Sequence, residues 1–86
     1  MKTAVYPGSF DPITLGHVNI IERAVDMFDS LVVLLATNPG KQSLFGAEEN
    51  IEMIREATSA WPQVTIDQTG GLLVDYARKH NIHHAV

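Results

Sequence analysis

The chain has 86 residues, 45% of them apolar, which suits one small folded domain over residues 1–86 and argues against a disordered segment. Six Lys and Arg against ten Asp and Glu give a formal net charge of −4, which disfavours nucleic-acid binding but leaves room for a local phosphate site. There is no cysteine, so disulfide and thiolate chemistry are excluded, and no apolar run reaches signal-peptide or membrane-spanning length; a soluble cytoplasmic protein without a membrane partner is expected.

Lys2 to Tyr6 is expected as the first strand, with Ala4 and Val5 buried. The next stretch, Tyr6-Pro7-Gly8-Ser9-Phe10-Asp11-Pro12-Ile13-Thr14-Leu15-Gly16-His17, reads as a tight loop running into a helix start. Unpaired backbone N–H groups at such a junction attract anions. Gly8 and Gly16 would let a ligand approach the backbone closely, and Pro7 and Pro12 stiffen the loop. Ser9 offers a hydroxyl donor, and His17 places an imidazole at the helix mouth. An ordinary Pro/Gly turn with His17 as a capping residue accounts for the same pieces taken singly.

Val18 to Phe28 follows as the first helix, with Val18, Ile21, Val25 and Phe28 on one face and Ala24 widening the stripe. Leu31 to Ala36 is a continuous apolar run without alternation, which suits a parallel strand buried on both faces at the centre of the sheet. Thr37 to Ser43 is a loop by its turn residues, at the same sheet edge as Ser9. Its Lys41 could reach a phosphate there, though by itself it reads as a solvated lysine. Glu48 to Ala60 is the second helix, with Ile51, Ile54 and Ala57 inward, Glu48 and Glu49 complementing its dipole and Gly46 as an N-cap without a side-chain acceptor.

Val64 to Asp67 is the third strand, and Thr69-Gly70-Gly71 a turn. Leu72 to His80 is the third helix, with Leu72, Leu73, Tyr76 and Ala77 on one face and Asn81 as its left-handed terminator. Ile82 to Val86 begins a fourth strand. His80, His83 and His84 fit no common metal-ligand spacing. The alternation predicts an α/β fold: a parallel Rossmann-like sheet of about four strands, order 3-2-1-4, with flanking helices, a truncated doubly wound form. Ligand then binds where the order reverses, between the first and fourth strands, beside Ser9.

Gly8-Ser9-Phe10-Asp11-Pro12 followed by Thr14-x-Gly16-His17 resembles the signature of the nucleotidyltransferase superfamily with a His-x-Gly-His motif. The Thr14 form, together with Asn38 to Phe45 and Gly70 to Ala77, looks most like the phosphopantetheine adenylyltransferase family, of which the chain would be the N-terminal half. The resemblance implies transfer of AMP from ATP, with Mg2+, to 4'-phosphopantetheine in coenzyme A biosynthesis, giving dephospho-CoA and pyrophosphate. It assigns His17 to transition-state stabilisation, Ser9 and Phe10 with His17 to ATP, and Ser9, Lys41 and Leu73 to the phosphopantetheine substrate. No residue is assigned as a metal ligand. Spacing alone puts Leu73 in the core.

The family's pattern continues with an Arg-Gly-Leu-Arg segment and a Ser-rich loop that also bind substrate, so the 86-residue chain is expected to be incomplete for catalysis. Relatives usually carry Ser or Thr at Gly46 and Arg at Asn50, departures expected to touch stability or subunit contacts more than chemistry. A homo-oligomer is expected, either the family's hexamer, itself built of trimers, or self-association through the fourth strand. The competing functions are a cytidylyl- or nicotinamide-nucleotide transferase, and a non-catalytic half-domain that folds, binds or self-associates.

Overall fold

The computed structural model describes residues 2–37 and 46–86. Seven elements alternate along it: β1 (Thr3–Gly8), α1 (Leu15–Met27), β2 (Ser30–Ala36), α2 (Ala47–Ala57), β3 (Val64–Thr69), α3 (Leu73–Lys79) and β4 (His84–Ala85). The strands form one parallel sheet in the order β3-β2-β1-β4, as expected from the alternation. All four strands therefore present their carboxyl ends, and the loops that follow them, at one edge.

The run Leu31 to Ala36 explains the layering. Leu31, Val33 and Leu35 enter a core with Ala4, Phe10, Ile21, Ala24 and Ile54, beneath α1 and α2. Leu34 points the other way, to Val5 and Ile82, where Tyr76 and Ala77 of α3 cover the sheet. A strand with apolar side chains of both parities needs protein on both faces, and here it has it.

Element ends differ from the sequence expectation, for local reasons. α1 starts at Leu15 and not Val18, because Thr14 caps it: Thr14 Oγ1 accepts from the His17 N–H, and His17 Nδ1 accepts from the Thr14 N–H. α2 stops at Ala57, short of Ala60, where the Thr58 hydroxyl donates to the Ile54 carbonyl at 2.8 Å and the chain turns toward Trp61. β3 runs on to Thr69, since Gln68 and Thr69 continue the ladder opposite Leu35 and Ala36.

α3 ends as the sequence suggests. Asn81 adopts φ 56°, and the Ile82 N–H donates to the Ala77 carbonyl at 2.8 Å while the Asn81 N–H donates to that of Arg78 at 3.3 Å. That pair of bonds is a Schellman termination, and asparagine tolerates its left-handed position. It also turns Ile82 into the core, so β4 is only His84–Ala85 and not Ile82 to Val86. The expected inward face of α3 is half corrected. Tyr76 and Ala77 pack inward, but Leu72 and Leu73 are exposed at the helix start.

Candidate active site

Ser9 lies exposed immediately after β1, at the carboxyl edge and beside the β1–β4 switch point. Phe10 follows with φ 40°, a region that a bulky side chain enters only when its surroundings hold it. They do: the Phe10 ring is 1% exposed. It meets the Tyr6 ring edge-on at 5.3 Å between centroids and the His17 ring at 4.9 Å. The ring is thus spent on the core, while the backbone of Phe10 stays in the loop that follows β1.

The same ring explains Gly8. A Cβ there would sit 3.0 Å from two Phe10 ring atoms, so Gly8 makes room for Phe10. At Gly16 a Cβ would meet only Thr14 Oγ1 at 3.6 Å, an ordinary contact, so nothing within the described chain demands glycine there. The two glycines read alike in sequence and have different reasons.

His17 is the third residue of α1, and two contacts fix its ring. Phe10 and Tyr6 pack on it, and its Nδ1 accepts the Thr14 N–H at 2.9 Å. An Nδ1 that accepts from a backbone amide carries no proton, so the neutral ring holds its proton on Nε2. The helix start thus offers an imidazole N–H donor next to the backbone N–H groups of the first turn. Burial pushes the Tyr6 phenol up.

Asp11 and Thr14 went unassigned in the sequence reading. Thr14-x-x-His17 has the capping-box spacing, with histidine in place of the usual Glu or Gln, and that spacing was available as a signal. Asp11 accepts from Asn50 Nδ2 at 3.1 Å, a contact between the site loop and α2. Asn50 is 3% exposed, so it lies behind the site loop and off the chain's exposed surface. Its signal was a polar residue on the stripe that Ile54 continues.

Leu73, the first residue of α3, is 36% exposed, against the core placement that its spacing suggested. It stands at the same edge as Ser9, after β3, two strands from β1 and so roughly 10 Å across the sheet. Thr37 ties the intervening edge together: its N–H and hydroxyl both donate to the Thr69 carbonyl, at 2.9 and 3.3 Å. Lys41 and the Asn38 to Phe45 resemblance lie outside the described residues. The three C-terminal histidines have separate surroundings: His80 stacks on Tyr76, His83 meets Asn81 Oδ1 and His84 packs near Phe28. Among the described residues no cluster of three or more His, Cys, Asp or Glu could hold a metal ion.

A parallel α/β sheet with hydroxyl, amide and imidazole donors gathered at its switch point belongs to the class of folds that take anionic ligands at the strands' carboxyl edge. The chain is a member of the cytidylyltransferase-like family, which matches residues 5–86. It is similar to phosphopantetheine adenylyltransferases of Syntrophus aciditrophicus (59% identity over 78 residues, 91% of this chain and 47% of the relative) and Caldanaerobacter subterraneus subsp. tengcongensis (49% over 81 residues, 94% and 51%). That of Petrotoga mobilis is 43% identical over all 86 residues, 53% of its own length. The chain spans about half the length of the curated relatives it matches.

Proposed function

We propose that this chain carries the nucleotide-binding half of a cytoplasmic phosphopantetheine adenylyltransferase of coenzyme A biosynthesis. The observation that carries the reading is the donor set at the switch point: the Ser9 hydroxyl, the Phe10 N–H and a His17 imidazole held by the Thr14 N–H at its Nδ1. The identity of its relatives supports it. In the reaction, a phosphate oxygen of 4'-phosphopantetheine attacks the α-phosphorus of ATP, the bond to the β-phosphate oxygen breaks, and dephospho-CoA and pyrophosphate form. The attacking phosphate monoester is already largely ionised near neutral pH, its second pKa being about 6, so no general base is needed.

The chain's part is then to place two anions in line and to donate to the transferring phosphoryl group. His17 and Ser9 meet the α-phosphate, Phe10 N–H holds the nucleotide, Lys41 takes the phosphate of the acceptor, and Leu73 borders its pantetheine arm. Mg2+ would enter with the ATP substrate and offset part of the charge on its phosphates. The roughly 10 Å between the β1 and β3 ends suits an extended acceptor lying across the edge.

Calorimetric titration of the 86-residue chain tests this reading. Binding of MgATP and of 4'-phosphopantetheine, with CTP and nicotinamide mononucleotide weaker, supports it. Preference for CTP or nicotinamide mononucleotide makes the chain a sister transferase, and binding of none of them leaves a half-domain that only folds or associates.

A further inference from the structure

Asn50 is a buried amide with one satisfied end. Its Nδ2 donates to Asp11 Oδ1 at 3.1 Å, while Oδ1 is buried with no hydrogen-bond partner among the described residues. In that bond the NH2 group is the end that faces Asp11, which leaves the amide oxygen on the far side. An unmet buried acceptor is costly, and a leucine of similar size would fill this place without it. What leucine lacks is the donor to Asp11. That bond runs from the first turn of α2 to the residue following Phe10, the one described position near the ligand edge with a strained backbone.

We propose that Asn50 is a positioning residue for the candidate site: by gripping Asp11 it sets the peptides of the Ser9–Asp11 turn, and with them the aim of the Ser9 hydroxyl and the Phe10 N–H. Two contacts then hold Phe10 in its left-handed backbone, the ring packing on Tyr6 and His17 from one side and the Asn50–Asp11 bond from the other. Asn50 stands in the opening turn of α2, so its bond to Asp11 ties that helix start to the Ser9 turn. The effect on nucleotide affinity rests on the function proposed above; the effect on the turn does not.

Asn50→Asp is the sharpest test, being the same shape with the donor replaced by a second carboxylate oxygen facing Asp11. Asn50→Leu removes the donor without adding charge and decides the matter should the first variant not fold. In the ligand-free chain, both should shift the Ser9, Phe10 and Asp11 amide resonances and speed their hydrogen exchange, leaving Val64 to Thr69 of β3 in place. Calorimetric affinity for MgATP should fall roughly tenfold or more, the usual scale for losing a hydrogen bond to a charged partner. Combining Asp11→Asn with Asn50→Asp reverses donor and acceptor and should recover most of the loss, which a packing defect would not allow. Unmoved Ser9–Asp11 resonances in both single variants, or parental MgATP affinity in both, would overturn the proposal. If the parent chain binds no MgATP, the resonances still decide the role of Asn50, and it is the nucleotide reading that fails.

Discussion

Phe10 joins the interior to the ligand edge, with a buried ring and a backbone at φ 40°. Gly8→Ala would push a methyl to 3.0 Å from that ring, which Tyr6 and His17 hold from two sides. We expect it to destabilise the fold by about 1–3 kcal/mol, as overpacking commonly does. Denaturant unfolding measures this, and adding Phe10→Leu should reduce the difference if the ring is the cause. A Gly16→Ala variant should lie within about 0.5 kcal/mol of the parent, since its Cβ meets nothing close. His17 makes a different prediction, about charge that develops during reaction. In a chain extended to its relatives' length, His17→Ala should lower kcat by roughly 100- to 1000-fold with KM much less changed, the pattern of a lost transition-state donor. Lys41→Ala should instead weaken 4'-phosphopantetheine binding.

Among the elements, strand β2 was the most legible and helix α3 the least. Leu31 to Ala36 announces a doubly covered strand because no polar residue interrupts it. Leu72 and Leu73 look equally apolar in sequence, yet the Gly70-Gly71 turn brings them out at the sheet edge where α3 begins. Hydropathy gives a residue's preference for burial, whereas the turn decides whether burial is reachable. The same limit applies to β4, where the left-handed Asn81 was foreseen but its consequence, Ile82 spent on the core, was not.

α3 also carries a pH signature. The Tyr76 hydroxyl donates to Asp67 Oδ2 at 2.7 Å. That bond, with help from the Gln68 N–H and the nearby His80 and Lys79, holds the Asp67 carboxyl below its usual range. Burial and the same carboxylate push the Tyr76 phenol above its ordinary value of about 10. A lowered carboxylate gives stability present above its unfolded pKa, near 4, and lost as pH falls through the folded value. A raised phenol gives stability present below about pH 10 and lost as pH climbs toward the folded value. Tyr76→Phe should therefore flatten melting temperature against pH at both ends. Because both groups are partly solvated, the change should be small beside that of a core deletion such as Ile54→Ala, about 2–5 kcal/mol.

As a whole molecule, the chain leaves apolar surface uncovered on its first and third helices. Met27 is 70% exposed, and Ile20, Leu15, Leu72 and Val74 are exposed too. Ile20, Ala24, Met27, Phe28, Ala85 and Val86 line a largely apolar groove of about 280 Å3 beside β4, the strand at one end of the sheet. Small domains have little stability to spare, and an edge strand flanked by apolar surface is a site of pairing. Sedimentation at rising concentration should show self-association, and Met27→Glu should weaken it. A monomer at all concentrations would show that this surface is tolerated in water.

At this scale the sequence conveyed the sheet order, because strand–helix alternation with right-handed crossovers leaves few alternatives. The buried Asn50–Asp11 bond was out of its reach, since a contact between distant residues has no local pattern. The chain is also expected to turn over far more slowly than its full-length relatives. Two polyanionic substrates call for more cation than Lys41 alone, and each charge-assisted hydrogen bond not made forfeits roughly 1.5–3 kcal/mol.

The most direct test of the central claim is backbone amide mapping of the 86-residue chain during titration with MgATP and then 4'-phosphopantetheine. The account predicts that MgATP moves Ser9, Phe10 and the first turn of α1 through His17, and that the acceptor adds shifts at Gly70 to Leu73. Shifts confined to the β4 groove or to the far edge of the sheet, with Ser9 and His17 unmoved, would contradict it.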